Sequence, residues 1–195
     1  MTAATRTRIT ASTNPFASRY IDTLPFLMAD MGMDRLSSRL GAMGGHAAIV
    51  GPHGSGKTTL LERLGHTLAR DGWVVHSFRT TERRRGVRDI TSRSYGPQDA
   101  VLIDSAGHIN PILRRRLFSH VRDAGRFVVT EHRIGRLPCL HRCETSLTLL
   151  DALVEELAPA IACDVRPHAH TLYARHRGNI RDVLRGLYDH CATLR

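Results

Sequence analysis

The run Gly51-Pro52-His53-Gly54-Ser55-Gly56-Lys57-Thr58-Thr59 constrains this chain more than any other stretch. It fits a phosphate-binding loop: a glycine, four residues, then Gly-Lys-Thr. Each residue type has a physical reason. Gly51, Gly54 and Gly56 let the backbone turn tightly and bring its N–H groups close to phosphate oxygens, an approach that a Cβ would obstruct. Lys57 can place its ammonium between terminal phosphates, and the Thr58 hydroxyl is a ligand for Mg²⁺. Pro52, His53, Ser55 and Thr59 complete the loop. The flanks agree with this reading. His46-Ala47-Ala48-Ile49-Val50 reads as a buried strand running into the loop. Residues 59–68 read as an amphipathic helix with its N-terminus aimed at the anion.

At 195 residues the chain suits one α/β domain with a small appendage, and its 42% hydrophobic content can fill a core. A formal charge of +10 and a pI near 10.6 ordinarily point to a nucleic-acid or membrane partner. Yet Lys57 is the single lysine among 28 basic residues. So strong an arginine skew matches a genome-wide codon bias, and the charge alone then does not name nucleic acid as the partner. It also marks Lys57: the lysine retained is the one phosphate chemistry requires. Cys139, Cys143, Cys163 and Cys191 follow no disulfide framework of a secreted domain, and with His141, His168 and His170 they match no zinc spacing. No segment approaches about 18 consecutive apolar residues, so no membrane span is expected and the expected location is the cytoplasm. Residues 1–13, rich in Thr, Ser and Arg, read as a frayed N-terminus.

In chain order, Phe16 and Tyr20 lie in a turn and Phe26 follows in a Pro-bounded apolar patch. Two roles are open to these aromatics, core filling and stacking on a nucleotide base. Met33 to Met43 has helical spacing, and Gly44-Gly45 stops it. Trp73 to Phe78 reads as a second strand. Residues 80–99, with Arg83, Arg84, Arg85, Arg88 and Arg93, show no apolar period and read as a long exposed connection. Ala100-Val101-Leu102-Ile103-Asp104 fits a buried parallel strand delivering a carboxylate to the sheet edge where ligands bind, which makes Asp104 the Mg²⁺-organising acid. A helix over Ile112 to Val121 precedes a strand over Phe127 to Thr130, with Glu131, His132 and Arg133 at its end. A short strand within Leu137 to Ser146 and a helix from Leu147 to Leu157 follow. Residues near Ala169 to Arg177 read as helical, and Gly178 ends them. From Ile180 onward, Val183, Leu184, Leu187, Tyr188 and Cys191 outline one apolar helical face, with Asn179 as N-cap. These readings divide the chain into an N-terminal extension (1–32), a core (33–158) and a small helical lid (159–195).

Gly51 to Thr58 and Val101-Leu102-Ile103-Asp104 resemble the Walker A and Walker B elements of the additional-strand P-loop ATPases. That resemblance implies an α/β P-loop NTPase fold: a parallel sheet of about five strands flanked by helices, with a small C-terminal helical lid. Phe127-Val128-Val129-Thr130-Glu131-His132 is similar to the strand that carries sensor 1 in AAA+ members and the switch histidine in ABC ATPases, which nominates Thr130 and His132. Gly178-Asn179-Ile180-Arg181-Asp182 resembles the sensor 2 turn of AAA+ lids and nominates Arg181. The resemblance implies ATP and Mg²⁺ as ligands, ATP hydrolysis, and a protein partner or further copies of the chain.

This sequence departs from the pattern at one position. Ser105 follows Asp104 where AAA+ and ABC ATPases usually carry the water-activating Glu. Glu82, just past the second strand as in RecA-like ATPases, and Glu131 are the candidate substitutes. No Leu-Ser-Gly-Gly-Gln signature is present. A guanine-reading Asn-Lys-x-Asp cannot occur with Lys57 as sole lysine, which favours ATP over GTP. Three functions therefore compete. One is an AAA+-like ATPase coupled to a partner. The second is a small-molecule or nucleotide kinase, for which residues 80–86 resemble the acceptor stretch of guanylate kinases. The third is a nucleotide-dependent interaction module that does not hydrolyse.

Overall fold

A computed structural model describes residues 10–21, 24, 32–80 and 85–193. The helices are α1 (Ser18–Ile21), α2 (Met33–Ala42), α3 (Lys57–Arg70), α4 (Arg85–Thr91), α5 (Pro111–His120), α6 (Leu147–Leu157), α7 (Ala162–Arg175) and α8 (Ile180–Thr193). The strands are β1 (His46–Val50), β2 (Val74–Arg79), β3 (Asp99–Asp104), β4 (Arg126–Glu131) and β5 (Cys139–Arg142). They fall into two compact units, one of residues 28–144 and one that joins the residues before 28 to 145 onward.

In the first unit the apolar runs become one five-stranded sheet of order β2-β3-β4-β1-β5, parallel throughout. Parallel neighbours need crossovers, and α3, α4 and α5 supply them between β1 and β2, β2 and β3, and β3 and β4. β4 intervenes between the strand that feeds the glycine loop and the strand that ends in Asp104. Side chains alternate across a strand, so each strand serves two faces. Val50, Val101, Ile103, Phe127 and Val129 share a cluster with Val87, Ile90 and Leu117 of α4 and α5. Leu102 lies on the opposite face, against α3; a Cβ added to Gly65 would meet its Cδ1 at 2.9 Å.

Residues 80–99 correct the expectation of an exposed connection. α4 forms within them, and Val87, Ile90 and Tyr95 are buried in the sheet's core. Two apolar residues in a seven-residue helix are too few to show a period. Asn110 caps α5, its side chain accepting from the Ile112 N–H, and Pro111 takes the first helical position where no donor is lost.

The second unit is helical. Ile180, Val183, Leu184, Leu187 and Cys191 form the buried face of α8, as the spacing requires, against Val165 and Leu172 of α7 and Leu150 and Val154 of α6. Phe16 is 1% exposed within that cluster. The Asn14 side chain ties the N-terminal turn to α8 by donating to the Tyr188 carbonyl at 2.9 Å. Phe16 is therefore a core residue, whereas Tyr20 is 41% exposed; Phe26 lies outside the described residues. The expected boundaries at 32/33 and 158/159 differ from this division. α6 packs on α7, and residues 10–21 pack with the C-terminal helices instead of standing apart. α7 also starts earlier than expected, at Ala162, and contains Pro167.

Candidate functional site

The glycine loop leaves β1 and enters α3 through two left-handed residues, Gly54 (φ 71°) and Gly56 (φ 82°). Gly56 occupies the N-cap of α3 with no side-chain cap bond, so the first-turn N–H groups keep their capacity for an anion. Gly51 is hemmed in, since a Cβ there would overlap the Cys143 carbonyl and come within 2.7 Å of Ser55 Oγ. The Pro52 carbonyl accepts from Ser55 Oγ at 2.9 Å and from Lys57 Nζ at 2.5 Å. The ammonium of Lys57, a residue only 9% exposed, is thus folded back over the loop.

From the first turn of α3, Thr58 Oγ1 donates to Asp104 Oδ2 at 3.1 Å. The other carboxylate oxygen accepts from Thr130 Oγ1 at 2.7 Å, and Thr130 Oγ1 accepts in turn from the Ser105 N–H at 2.7 Å. Thr80, buried at the end of β2, donates its hydroxyl to the Asp104 and Ser105 carbonyls at 3.0 and 2.9 Å. Three strand ends and the helix start therefore converge on one carboxylate. Ser105 itself adopts φ 67°, ψ 34°, turning the chain into a 3-10 turn over Ala106–His108. A non-glycine residue there costs about 1 kcal/mol. The position where the resemblance implies a catalytic Glu is given to a backbone turn.

Glu131 is 4% exposed and paired with Arg114 of α5. By strand alternation it faces away from Thr130, toward the α4/α5 side. The loop from β4 to β5 passes close over the pair. A Cβ on Gly135 would overlap Glu131 Oε2 and come within 2.8 Å of Arg114 Nη2. His132 follows, its ring 3.9 Å from that of His53 in the glycine loop. Burial pushes the Cys143 thiol up to about 12, against a smaller opposing effect of the Lys57 charge.

The fold thus gathers Lys57, Thr58, Asp104, Thr130, Glu131 and His132 at one edge of the sheet. Arg181 stands on the first turn of α8, in the helical unit. Glu82 lies outside the described residues, as do residues 81–84 of the stretch compared with guanylate kinases. Two residues not singled out in the sequence reading belong to this edge. Arg79 Nε lies 3.4 Å from Asp104 Oδ2, and Arg114 holds Glu131. Nothing marks either one in a chain so rich in arginine. All four cysteines are free, and among the described residues no three His, Cys, Asp or Glu side chains gather as a metal group.

A parallel sheet with an added strand between the glycine-loop strand and the Asp104 strand decides the fold. It is the P-loop NTPase fold. Its loop and strand end fit a magnesium nucleotide in donor chemistry: helix-start N–H groups with no side-chain cap, one ammonium, and a hydroxyl joined to a carboxylate. No protein-family model and no curated protein matches the chain. Substituted forms of RuvB from Thermotoga maritima are similar in structure. One is 17% identical, with 84% of this chain covering 70% of that one at a TM-score of 0.49. Another is 15% identical, with coverages of 82% and 70% and a TM-score of 0.47. No described helix is long and apolar enough to cross a membrane.

Proposed function

We propose that this chain is a cytoplasmic ATP-binding protein with AAA+-like ATPase activity, coupling nucleotide state to a protein partner or to further copies of itself. The observation that carries the reading is the Thr58–Asp104–Thr130 chain of hydrogen bonds, at 3.1 and 2.7 Å. It joins the glycine loop to the strand-end carboxylate, which sets a hydroxyl and a carboxylate side by side. The N–H groups of Gly54 to Thr58 would hold the phosphates, with Lys57 exchanging the Pro52 carbonyl for phosphate oxygens. Thr58 and Asp104 would hold Mg²⁺, which when bound supplies charge neutralisation across the terminal phosphates. Thr130 fixes the Asp104 rotamer, His132 steadies the loop through His53, and Arg181 is the proposed γ-phosphate sensor from the lid. DNA or RNA as the partner is carried only by the net charge of +10.

A second reading, a nucleotide-dependent module that does not hydrolyse, is favoured by two observations. Ser105 is committed to a backbone turn, and Glu131 is held by Arg114. Phosphate release from ATP, measured for wild type and Lys57→Ala with and without DNA, RNA or concentrated protein, separates the two. Turnover that Lys57→Ala abolishes supports the ATPase. Tight ATP binding with no turnover under any of these conditions supports the module. Glu131→Gln then tests the base: an unchanged rate removes Glu131 from that role and leaves Glu82.

A further inference from the structure

A pocket of about 380 Å³ opens at the ends of β1, β4 and β5, within the range of small-ligand sites. It touches the glycine loop only at Gly51 and Pro52. None of Gly54 to Thr58, the residues proposed to hold nucleotide phosphates, lines it. Its cationic groups are Arg133, in the loop after β4, and Arg142, at the end of β5. Both are exposed, and neither guanidinium makes a hydrogen bond or ion pair with another described residue. Glu144 on the same wall leaves the cavity with one net positive charge, and the buried Cys143 thiol, pushed up to about 12, adds no negative charge. Part of the wall differs in character: Val50 and Ile134, the latter 59% exposed, present carbon to the cavity. Strand register fixes the arrangement, since Val50 pairs with Arg142 on one side and Glu131 on the other.

We propose that this pocket binds a small organic phosphate, its phosphoryl group gripped by Arg133 and Arg142 and its carbon skeleton laid against Val50 and Ile134. Guanidinium groups suit phosphate because their planar donors match its oxygens two at a time. The volume exceeds what an inorganic ion fills, and the apolar wall gives a carbon skeleton a surface to bury. The pocket borders the nucleotide site at Gly51, Pro52 and His132, but its phosphate grip uses none of Gly54 to Thr58.

The test is equilibrium dialysis of labelled ribose 5-phosphate against the full chain, with inorganic phosphate and ribose as competitors. Wild type is expected to take up one equivalent, at least about tenfold tighter than inorganic phosphate, with ribose failing to compete. Arg133→Ala and Arg142→Ala each weaken uptake about tenfold. Arg115→Ala and Arg136→Ala, which remove equal charge from exposed positions outside the pocket, leave it unchanged. Lys57→Ala keeps uptake within about threefold, because the glycine loop is not the site. The proposal is overturned by no uptake in wild type, by equal affinity for inorganic phosphate, by equal loss in the four arginine variants, or by abolition in Lys57→Ala. ADP binding is measured on the same samples. Its absence would sink the nucleotide reading while leaving the ribose 5-phosphate result to decide the pocket.

Discussion

Thr130 and Glu131 are consecutive on β4 and serve opposite faces of the sheet. On the α3 face, Thr130 joins Asp104 and Thr58 in a chain of neutral and singly charged hydrogen bonds open to the glycine loop. On the α4/α5 face, Glu131 is closed into an ion pair with Arg114 beneath the loop that carries Gly135. The first arrangement is the proposed nucleotide face, and the second has its charges already satisfied. The difference teaches that this sheet edge separates its proposed binding apparatus from its one described candidate for a catalytic base.

The comparison breaks most visibly at Arg114. Arg114→Ala leaves a buried carboxylate unpaired and is expected to cost about 3 kcal/mol in chemical denaturation, with most of it recovered when Glu131→Met is added. If Arg114→Ala unfolds at the wild-type midpoint, the pair does not hold that face. On the other face, Asp104→Ala removes the acceptor of the Thr58 and Thr130 hydroxyls and is expected to cost about 2 kcal/mol by the same measurement. Thr130→Val removes one donor and the acceptor of the Ser105 N–H, for about 1 kcal/mol, and should loosen Mg²⁺ dependence more than nucleotide affinity. Gly135→Ala forces the closing loop off Glu131. A rise in ATP turnover in that variant would show that the pair restrains a working base, and an unchanged rate would show that it is structural.

The smallest effect is chemical. Cys143 and Cys191 are buried and their thiols raised, so iodoacetamide at pH 8 should label exposed Cys163 in the native protein and spare both until it unfolds. The raised Cys143 value also has a sign for stability. Between its ordinary 9.0 and about 12 the unfolded chain releases a proton that the folded chain keeps, so stability falls as pH rises through that window. Equal labelling of the native cysteines would contradict the burial on which this rests.

Legibility followed the same division. The glycine loop, β1, β3 and α8 were readable because period, turn chemistry and length all agreed on them. α4 was not, since Val87, Ile90 and Tyr95 are too sparse to outline a face, and Pro167 concealed the first half of α7, where it reads as a breaker. At the site, Asp104 could be picked out because it ends an apolar run, and Thr130 because its strand resembles the one that carries sensor 1. Arg79 and Arg114 could not, because their contacts depend on which strands and helices become neighbours, and arginine is too common here to carry a signal. The joining of residues 10–21 to the C-terminal helices was equally hidden, since it pairs Asn14 with Tyr188 across most of the sequence.

One measurement bears most directly on the proposal that the Thr58–Asp104 face holds a magnesium nucleotide: calorimetric titration of ATP into wild type and Lys57→Ala, with Mg²⁺ and with EDTA. Wild type should bind one ATP, more tightly with Mg²⁺, and Lys57→Ala should be weaker by about 100-fold. No binding to wild type, or equal binding to both proteins, would contradict it.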